Sequence, residues 1–523
     1  MKLYRYIIAA ALVLQASAPI MAQEDKPDTL FVRYDDRFKA NGTLLLGHAD
    51  SIDIGASSMK IYDATTELGF TTKTYTTLIP TDACDMTFRN PGRWLLKPSI
   101  YGGTDYTNDA ATSGYNFKHS MESEHFALFW DVQFGETATY IKHPNAGNVA
   151  NAYNVLDIAE RCWNKYVELG FVKPGASTTD KYKIQLYIPY QSDWRADASG
   201  TNGVNGELTG IGHFTPWAAS SNSTVAHEVG HTFQFLVHAD CGWDHGFDYG
   251  YGTNASGNNG WWESCANWQA YKVLPAEQFE NSDFYSHLGL CHLNILNEAW
   301  RYQNFFIQDW WCMKHGSDFI GRLWRESLRP EDPVEAYMRL NNLTLPQFCD
   351  EQMEGIMRMA TWDIDGVRDY AAEKIGQHQT HLHKAAGTTS TWEVDAAYCP
   401  ENFGYNIINM NTTRTAGLEV KAHFKGIAGA DGYRKVRTAN AGWRYGFVAY
   451  TTDNRSIRGD IFSEAEATAT FTLPEKCSRV FFVVMGAPKT YWRHPWDDND
   501  SNDEQWPYQV TFENINISGY SNP

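Results

Sequence analysis

The sequence predicts an α+β fold, in which a central domain of helices and strands lies between a β-rich region at each end. Two patterns indicate this arrangement. Apolar residues recur at helical spacing from Val155 to Val167 and through much of 275–377, whereas short segments of alternating apolar residues, bounded by turn residues, occupy both ends. The predicted organisation is a signal peptide at 1–22, a small N-terminal β-rich domain at 23–115, a central domain at 116–385 and a C-terminal β-sandwich at 386–523.

The first 22 residues have the pattern of a secretory signal peptide. Lys2 and Arg5 precede an apolar run, and small residues follow up to Ala22, with Ala18 as the alternative cleavage position. We therefore expect a secreted protein, either extracellular or periplasmic. No later segment approaches the roughly 18 uninterrupted apolar residues of a membrane span.

The composition narrows the classes of partner. A formal net charge of -19 disfavours binding to nucleic acid and to anionic membrane surfaces. The 14% of aromatic residues is more typical of core than of exposed surfaces that stack on glycans. The nine cysteines have no CxxC spacing, so they do not predict a thiolate zinc site. Export allows one or two disulfides among the five cysteines from Cys241 to Cys349, with the pairing left open. The oligomeric state is likewise open.

Strand segments are expected in all three domains. From Lys181 to Ile188 apolar and polar residues alternate, which predicts a half-buried strand. A second central strand is expected in LTGIGHFTPWAA, and the N-terminal domain is expected to contain TLFVRY, TLLLGHA, MKIYDA and KTYTTLI. The predicted strands of the β-sandwich are LEVKAHF, WRYGFVAY, ATATFTL, VFFVVM and YQVTF. Helices are expected in NEAWRYQNFFIQDWWCMKH and LPQFCDEQMEGIMRMATW.

The segment VAHEVGHTFQF, residues 225–235, carries the most specific chemical signal. His227 and His231 are four residues apart, so on a helix both imidazoles share one face and reach one metal ion. Zinc prefers such nitrogen ligands, and Glu228 is placed to act as the general base. Ser221 or Ser223 can cap the start of this helix. The alternative is a core helix whose two histidines are satisfied by other hydrogen bonds.

A catalytic zinc site needs a third protein ligand, and the best candidate is Glu263 in GWWESCANWQAYKV. Asn267, one helical turn further on, is a candidate partner for the free ring nitrogen of a ligating histidine. The alternative for Glu263 is an ordinary glutamate that the helix dipole favours near a helix start.

These motifs resemble a known class of enzyme. HEVGHTFQF followed by WWESCANW is similar to the gluzincin pattern of zinc metallopeptidases, in which a downstream glutamate completes the ligand set. The form HExGHxxQ more distantly resembles enhancin-like and mucin-degrading peptidases, although the 31 residues between His231 and Glu263 exceed the expected spacing. A closer likeness, running from SEHFALFW to WPYQVTF over roughly four-fifths of the chain, is to uncharacterised secreted proteins typical of Bacteroidetes. The resemblance implies a zincin-like catalytic domain at 116–385 that holds one catalytic Zn²⁺.

Further residues are candidates for substrate contact. By the same resemblance, Tyr302 is the candidate for stabilising the oxyanion, with His292 and Tyr285 as competitors and a packed helix residue as the alternative. The strand in LTGIGHFTPWAA is a candidate for pairing with an extended peptide, in which case His213 and Trp217 would border the cleft.

A short acidic segment near the C-terminus begins like a calcium loop. In DDNDSNDE, residues 497–504, Asp498, Asp500 and Asn502 stand at alternate positions, but the Gly and the terminal Glu of that motif are missing. A solvated acidic turn is the preferred interpretation, with a Ca²⁺ site as the alternative.

The leading functional hypothesis is zinc-dependent hydrolysis of peptide bonds in extracellular proteins or glycoproteins. One alternative keeps the zinc but changes the bond, as in an amidase that acts on cell-wall or glycan-linked amides. Another is a non-catalytic adhesion module whose β domains contact glycan or protein around a structural zinc. Structural sites use four protein ligands, and the sequence offers three, which favours catalysis.

Overall fold

A computed structural model of the chain describes residues 93, 95–204, 206–249, 258–280 and 282–518, together with the backbone of five strands between residues 29 and 89. The predicted signal peptide and the segment KTYTTLI lie outside the described residues. Helices and several sheets occur together, as the α+β class requires. The chain divides into two compact units, 1–243 and 244–523. None of the described helices is both long enough and apolar enough to cross a membrane.

The N-terminal region contains short antiparallel strands, as predicted. The segment TLLLGHA contributes to two strands rather than one, and CDMTFR forms a strand that the sequence did not predict. The strand order is β2-β1-β5 in one sheet, and β3 pairs with β4 in another. The five strands are β1 (Thr29–Tyr34), β2 (Asn41–Leu45), β3 (Ala49–Ile54), β4 (Met59–Asp63) and β5 (Cys84–Arg89).

A mixed five-stranded sheet forms the centre of the first unit. Its order is β6-β7-β8-β10-β9, with β7, β8 and β10 parallel and the outer strands β6 and β9 antiparallel to their neighbours. The strands are β6 (Ser120–Glu122), β7 (Phe126–Trp130), β8 (Ile184–Ile188), β9 (Ala196–Asn202) and β10 (Leu208–Phe214). The helices of this unit are α1 (Ala152–Glu168), α2 (Pro216–Ala219) and α3 (Asn222–Cys241).

Strand β8 is fully buried, so the prediction of a half-buried strand was wrong. The alternation in the sequence is real, but the sheet is covered on both faces. Helices α1 and α3 pack on one face of the sheet. A core cluster of aromatic residues, to which Tyr187 of β8 contributes, lies on the other face. The polar residues are accommodated by internal partners: Lys183 Nζ lies 2.6 Å from a carboxylate oxygen of Glu122, and the Gln185 amide donates to the Leu96 carbonyl.

Helix α1 confirms the helical periodicity predicted for 155–167. It begins after Asn151, whose side chain accepts from the Tyr153 amide, and the chain leaves the helix before Gly170. Its apolar face packs on α3, where the ring centroids of Tyr166 and Phe233 are 5.1 Å apart and the Tyr166 hydroxyl donates to the Ala226 carbonyl.

Two glycines allow α3 to lie close against the sheet. A Cβ atom at Gly200, on β9, would stand 1.9 Å from a ring carbon of Phe235. One at Gly210, on β10, would stand 2.7 Å from Cβ of Thr232. Any larger residue at Gly200 would force the helix away from the sheet, because backbone and ring cannot interpenetrate. Glycine is therefore needed here to position the helix that carries the histidines.

The second unit begins with helices and ends with two sheets. The predicted helix in NEAWRYQNFFIQDWWCMKH starts only at Phe306, because residues 298–300 form a separate 3₁₀ turn. The helix predicted in LPQFCDEQMEGIMRMATW is confirmed. The helices are α4 (Asn258–Val273), α5 (Ser282–Leu290), α6 (Phe306–His315), α7 (Phe319–Glu326), α8 (Pro333–Leu340), α9 (Leu345–Met359) and α10 (Arg368–Ala371).

Two five-stranded antiparallel sheets then form a β-sandwich, and each of the five segments predicted as strands there is confirmed. Inward-facing side chains of both sheets form one core, in which the rings of Phe424 and Tyr445 stack with centroids 4.0 Å apart. The strands are β11 (Leu382–Lys384), β12 (Thr391–Val394), β13 (Tyr405–Asn411), β14 (Glu419–Gly426), β15 (Trp443–Thr451), β16 (Ser456–Arg458), β17 (Glu466–Thr472), β18 (Cys477–Gly486), β19 (Tyr508–Glu513) and β20 (Asn516–Ile517).

Candidate metal centre

Helix α3 carries the residues of the HExxH motif. Its N-cap is Ser221, one of the two predicted candidates, whose hydroxyl accepts from the Thr224 amide at 3.2 Å. The helix ends at Gly242, which has a φ of 104°. Most of its residues from Val225 onward are buried, so the helix is held on nearly all sides and presents its side chains in fixed directions.

The two histidines of the motif lie side by side on one face of the helix. Nε2 of His227 and Nε2 of His231 are 3.1 Å apart, and the two rings are almost perpendicular. Two nitrogens bound to one tetrahedral ion at about 2.0–2.1 Å are about 3.3 Å apart. The pair therefore already has the separation that a shared zinc ion requires.

Gln234, from the same helix, orients His231. The Gln234 amide oxygen lies 2.9 Å from Nδ1 of His231, so Nδ1 carries the proton and donates it to this oxygen. The lone pair of His231 is then on Nε2, the atom that faces His227. This role was predicted for Asn267 rather than for Gln234, although the spacing of three residues between His231 and Gln234 was a signal for it.

Glu228 lies between the two histidines in sequence and is buried, with 6% of its surface exposed. His227 is only partly buried. The imidazole of His227 is thus less enclosed than the carboxylate of Glu228.

Glu263 lies on α4 and is also buried. The phenol of Tyr249 donates to Oε1 of Glu263 at 3.0 Å. Trp262 directly precedes Glu263, and its indole N–H donates to the Phe247 carbonyl. This bond holds the start of α4 against the loop that contains Tyr249. Tyr249 was not among the predicted site residues. Its loop, CGWDHGFDYGYG, drew notice only as aromatic.

Two groups of side chains among the described residues could hold a metal ion. One of them consists of His227, His231 and Glu263. The other group, His287, Cys291 and His378, was not predicted.

Asn267 and Tyr302 contact each other. The Asn267 amide donates to the Tyr302 carbonyl at 2.7 Å and approaches a carboxylate oxygen of Asp283 at 3.4 Å. Tyr302 follows the 3₁₀ turn that precedes α6, and 38% of its surface is exposed. The predicted roles of Asn267 as a partner of a histidine and of Tyr302 as an oxyanion stabiliser remain predictions.

His213 lies on β10, which runs between β8 and β9 and is not an edge strand. The expectation that a peptide pairs with this strand is therefore wrong, since both of its edges are already hydrogen-bonded. Both ring nitrogens of His213 have partners, Asp197 at 3.0 Å and the Tyr101 hydroxyl at 2.9 Å. Trp217, on α2, is 46% exposed, and its predicted role at the cleft remains a prediction.

The chain matches the model of one protein family. The model of a family of unknown function, DUF6055, matches residues 89–519. The chain belongs to the DUF6055 family. Membership assigns no activity, since the family itself is described as one of unknown function.

The other comparisons add little about this DUF6055 protein. A search of curated proteins finds no match. The C-terminal family 22 carbohydrate-binding module of Clostridium thermocellum Xyn10B is 10% identical, covers 28% of this chain and 84% of its own, and has a TM-score of 0.17. A chain described as BiXyn10A CBM1 is 13% identical, covers 27% of this chain and 90% of its own, and has a TM-score of 0.13. Likenesses with such TM-scores support no inference about function.

The acidic segment of the DUF6055 protein belongs to neither of the two candidate metal groups. Residues Asp500–Asn502 form a 3₁₀ turn, in which the Asn502 amide donates to Asp497 at 2.8 Å. The Asp498 amide donates to Glu298. These bonds form an acidic turn, but Asp503 and Glu504 at its end are buried, so the prediction of a solvated turn holds only in part. The same bonds give no support to a Ca²⁺ site.

Proposed function

We propose that this DUF6055 protein is a secreted zinc-dependent endopeptidase that hydrolyses peptide bonds of extracellular proteins or glycoproteins. The observation that carries the proposal is the pair of Nε2 atoms, 3.1 Å apart, presented by His227 and His231 on one helix with Glu228 beside them. Export follows from the signal peptide predicted at 1–22.

The donor set suits zinc. Two imidazole nitrogens and one carboxylate leave a fourth tetrahedral position free, as in known catalytic zinc sites. His231 is held by Gln234, and the Glu263 carboxylate is held by Tyr249, so two of the three proposed ligands have a hydrogen-bonding partner that fixes their orientation.

A bound zinc ion would act as a Lewis acid that polarises the scissile carbonyl and acidifies water. In the proposed reaction Glu228 removes a proton from the attacking water and then delivers it to the leaving amine. A phenol that donates to the developing oxyanion would contribute further stabilisation. Tyr302 is the candidate predicted from the sequence, and Tyr249 is a second candidate because its hydroxyl contacts Glu263.

Strand β9 supports binding of an extended peptide. It is the outermost strand of the described sheet and has a partly exposed side-chain pattern. A peptide that adds to a sheet edge forms main-chain hydrogen bonds with little dependence on its sequence. We propose that the substrate pairs with Ala196–Asn202, next to Trp217.

The ligand set is tested by the zinc content of the purified protein. We expect one zinc ion per chain in the wild type, and loss of zinc in His231→Ala and Glu263→Ala. The matched control is Glu280→Ala, which removes an exposed glutamate shortly after α4. Zinc binding that is indifferent to Glu263→Ala would remove this residue from the ligand set.

The mechanism is tested by Glu228→Gln, with Glu168→Gln on α1 as the matched control. Cleavage of a complex mixture of denatured proteins is measured by mass spectrometry of new N-termini. Glu228→Gln should retain zinc and reduce cleavage by at least about 100-fold, because general-base catalysis contributes about 10²–10⁴-fold. Cleavage at the wild-type rate would overturn the mechanism.

The same preparations separate the alternatives. A zinc amidase would release products from peptidoglycan or glycan-linked amides but not from unmodified proteins. A non-catalytic adhesion module would cleave neither substrate, and its zinc would be bound by four protein ligands.

A further inference from the structure

A second group of metal-binding side chains lies in the helical part of the second unit. His287 is on α5. Cys291 comes four positions after His287 and directly follows Leu290, the last residue of that helix. His378 comes from the segment between α10 and β11. The ligand atoms of the three residues lie within 4.8 Å of one another, and all three residues are buried.

His287 is oriented as metal-ligating histidines usually are. Its Nδ1 lies 3.0 Å from the carbonyl oxygen of Gln303, and because a carbonyl only accepts, Nδ1 carries the proton. The lone pair is therefore on Nε2. Donation of the other ring N–H to a backbone carbonyl is a recurrent way of fixing a ligating imidazole.

His378 has no hydrogen-bonding partner for either ring nitrogen among the described residues. Its ring stacks on Trp362, with centroids 5.1 Å apart, and lies 6.2 Å from the ring of His287. An unsatisfied buried polar group costs about 1–3 kcal/mol. The ring of His378 lies near the donor atoms of His287 and Cys291. An ion between the three residues would explain this position.

Cys291 provides a free thiol, which donates to the His287 carbonyl at 2.8 Å. Tyr405 lies beside it, with its hydroxyl 3.3 Å from Nε2 of His287 and 3.4 Å from the sulfur of Met359. The site thus combines two imidazoles with a thiol and has a thioether at its border. Sulfur ligands of this kind select soft ions such as Cu⁺.

The charge of the site distinguishes between ions. A histidine binds a metal ion through a neutral imidazole, and the three members of this group include no carboxylate. Within this group of described residues, the thiolate of Cys291 would supply the negative charge. A monovalent ion would make the site neutral, whereas a divalent ion would leave a buried positive charge, which is costly in an apolar interior.

We propose that His287, Cys291 and His378 bind one Cu⁺ ion in a closed structural site, through Nε2 of His287, Sγ of Cys291 and one ring nitrogen of His378. Binding forms two Cu–N bonds and one Cu–S bond and breaks the S–H bond of Cys291, whose proton passes to solvent. No oxidation or reduction takes place. This site is independent of the proposed hydrolytic centre.

The test uses the full chain with His231→Ala as background, so that copper cannot occupy the first group. Protein is produced with added copper and kept under anaerobic reducing conditions, and copper per chain is measured by mass spectrometry. We expect one copper ion per chain, and at least about a tenfold loss in Cys291→Ala and in His378→Phe. The matched control is Cys349→Ala, which removes another buried free thiol and should leave copper unchanged.

X-ray absorption of the His231→Ala background protein provides a readout that does not depend on the folding of the Cys291→Ala and His378→Phe variants. Cu⁺ bound by one sulfur and two nitrogen atoms would support the proposal. Absence of copper from the loaded protein, copper content indifferent to Cys291→Ala, or zinc bound by these residues in place of copper would each overturn it.

Discussion

The two groups of donor side chains differ in their access to solvent. His227 is only partly buried, whereas His287, Cys291 and His378 are all buried. A catalytic metal must keep a coordination position open to water or substrate, whereas a structural ion is enclosed by protein ligands. In the proposals made above, the first group therefore serves turnover and the second stability.

They differ also in the charge of their donors. The first group includes a buried carboxylate, Glu263, and the HExxH motif adds a second buried carboxylate, Glu228; carboxylates favour a divalent ion. The second group offers a single thiol. Each group contains two imidazoles, but the third ligand differs. The charge of that third ligand therefore decides which ion each group favours.

The largest expected effect concerns metal removal. Brief treatment of the native protein with a chelator should remove zinc from the open group and reduce peptide cleavage by at least about 100-fold, since catalytic metals contribute several kcal/mol to transition-state stabilisation. Copper in the closed group should remain until the protein unfolds. Metal analysis at successive times measures both. If copper left as fast as zinc, the contrast between an open and a closed group would be lost.

Gly200→Ala should disturb the first group without affecting the second. Its Cβ atom would stand 1.9 Å from the ring of Phe235, and overpacking of this kind costs about 1–3 kcal/mol. We expect a lower melting temperature and weaker zinc binding, with copper content unchanged. Gly147→Ala is the control, because nothing lies within 4 Å of its added carbon. Equal melting temperatures for the two variants would show that α3 tolerates displacement from the sheet.

Gln234→Ala should weaken zinc binding by about 10–100-fold, the usual cost of losing the partner of a ligating histidine. Gln234→Glu keeps an oxygen that accepts from Nδ1 of His231 and should restore most of the affinity. Competition with a chromogenic chelator measures the dissociation constants. Comparable weakening in both variants would mean that Gln234 acts through packing rather than through this hydrogen bond.

The smallest effect is expected for Tyr405→Phe. The hydroxyl of Tyr405 is 3.3 Å from Nε2 of His287, but it is not among the proposed ligands. Its removal should cost the copper-free protein about 1 kcal/mol, the net contribution of a typical hydrogen bond, and should leave one copper ion per chain. A loss of copper as large as that in Cys291→Ala would make the phenol a ligand and would change the charge assigned to the site.

Much of the candidate site could be predicted from the sequence because its spacing is local. His231 stands four positions after His227, and any α-helix brings residues at this spacing onto one face. Several strands of the β-sandwich were predictable for the same reason, since segments such as LEVKAHF and ATATFTL alternate with a period of two. The role of Gln234 was predictable in the same way, because it stands three positions after His231 on the same helix.

The sequence by itself determined helices α1, α3 and α9, five strands of the β-sandwich and which side chains share a helical face, because periodicity and capping act over a few residues. Only the tertiary structure decided that β8 is buried on both faces, that β9 rather than β10 lies at the edge of the sheet, and that His378 joins His287 and Cys291. The physical reason is that burial and pairing depend on what packs from distant parts of the chain, and a local pattern of residues carries no information about those neighbours.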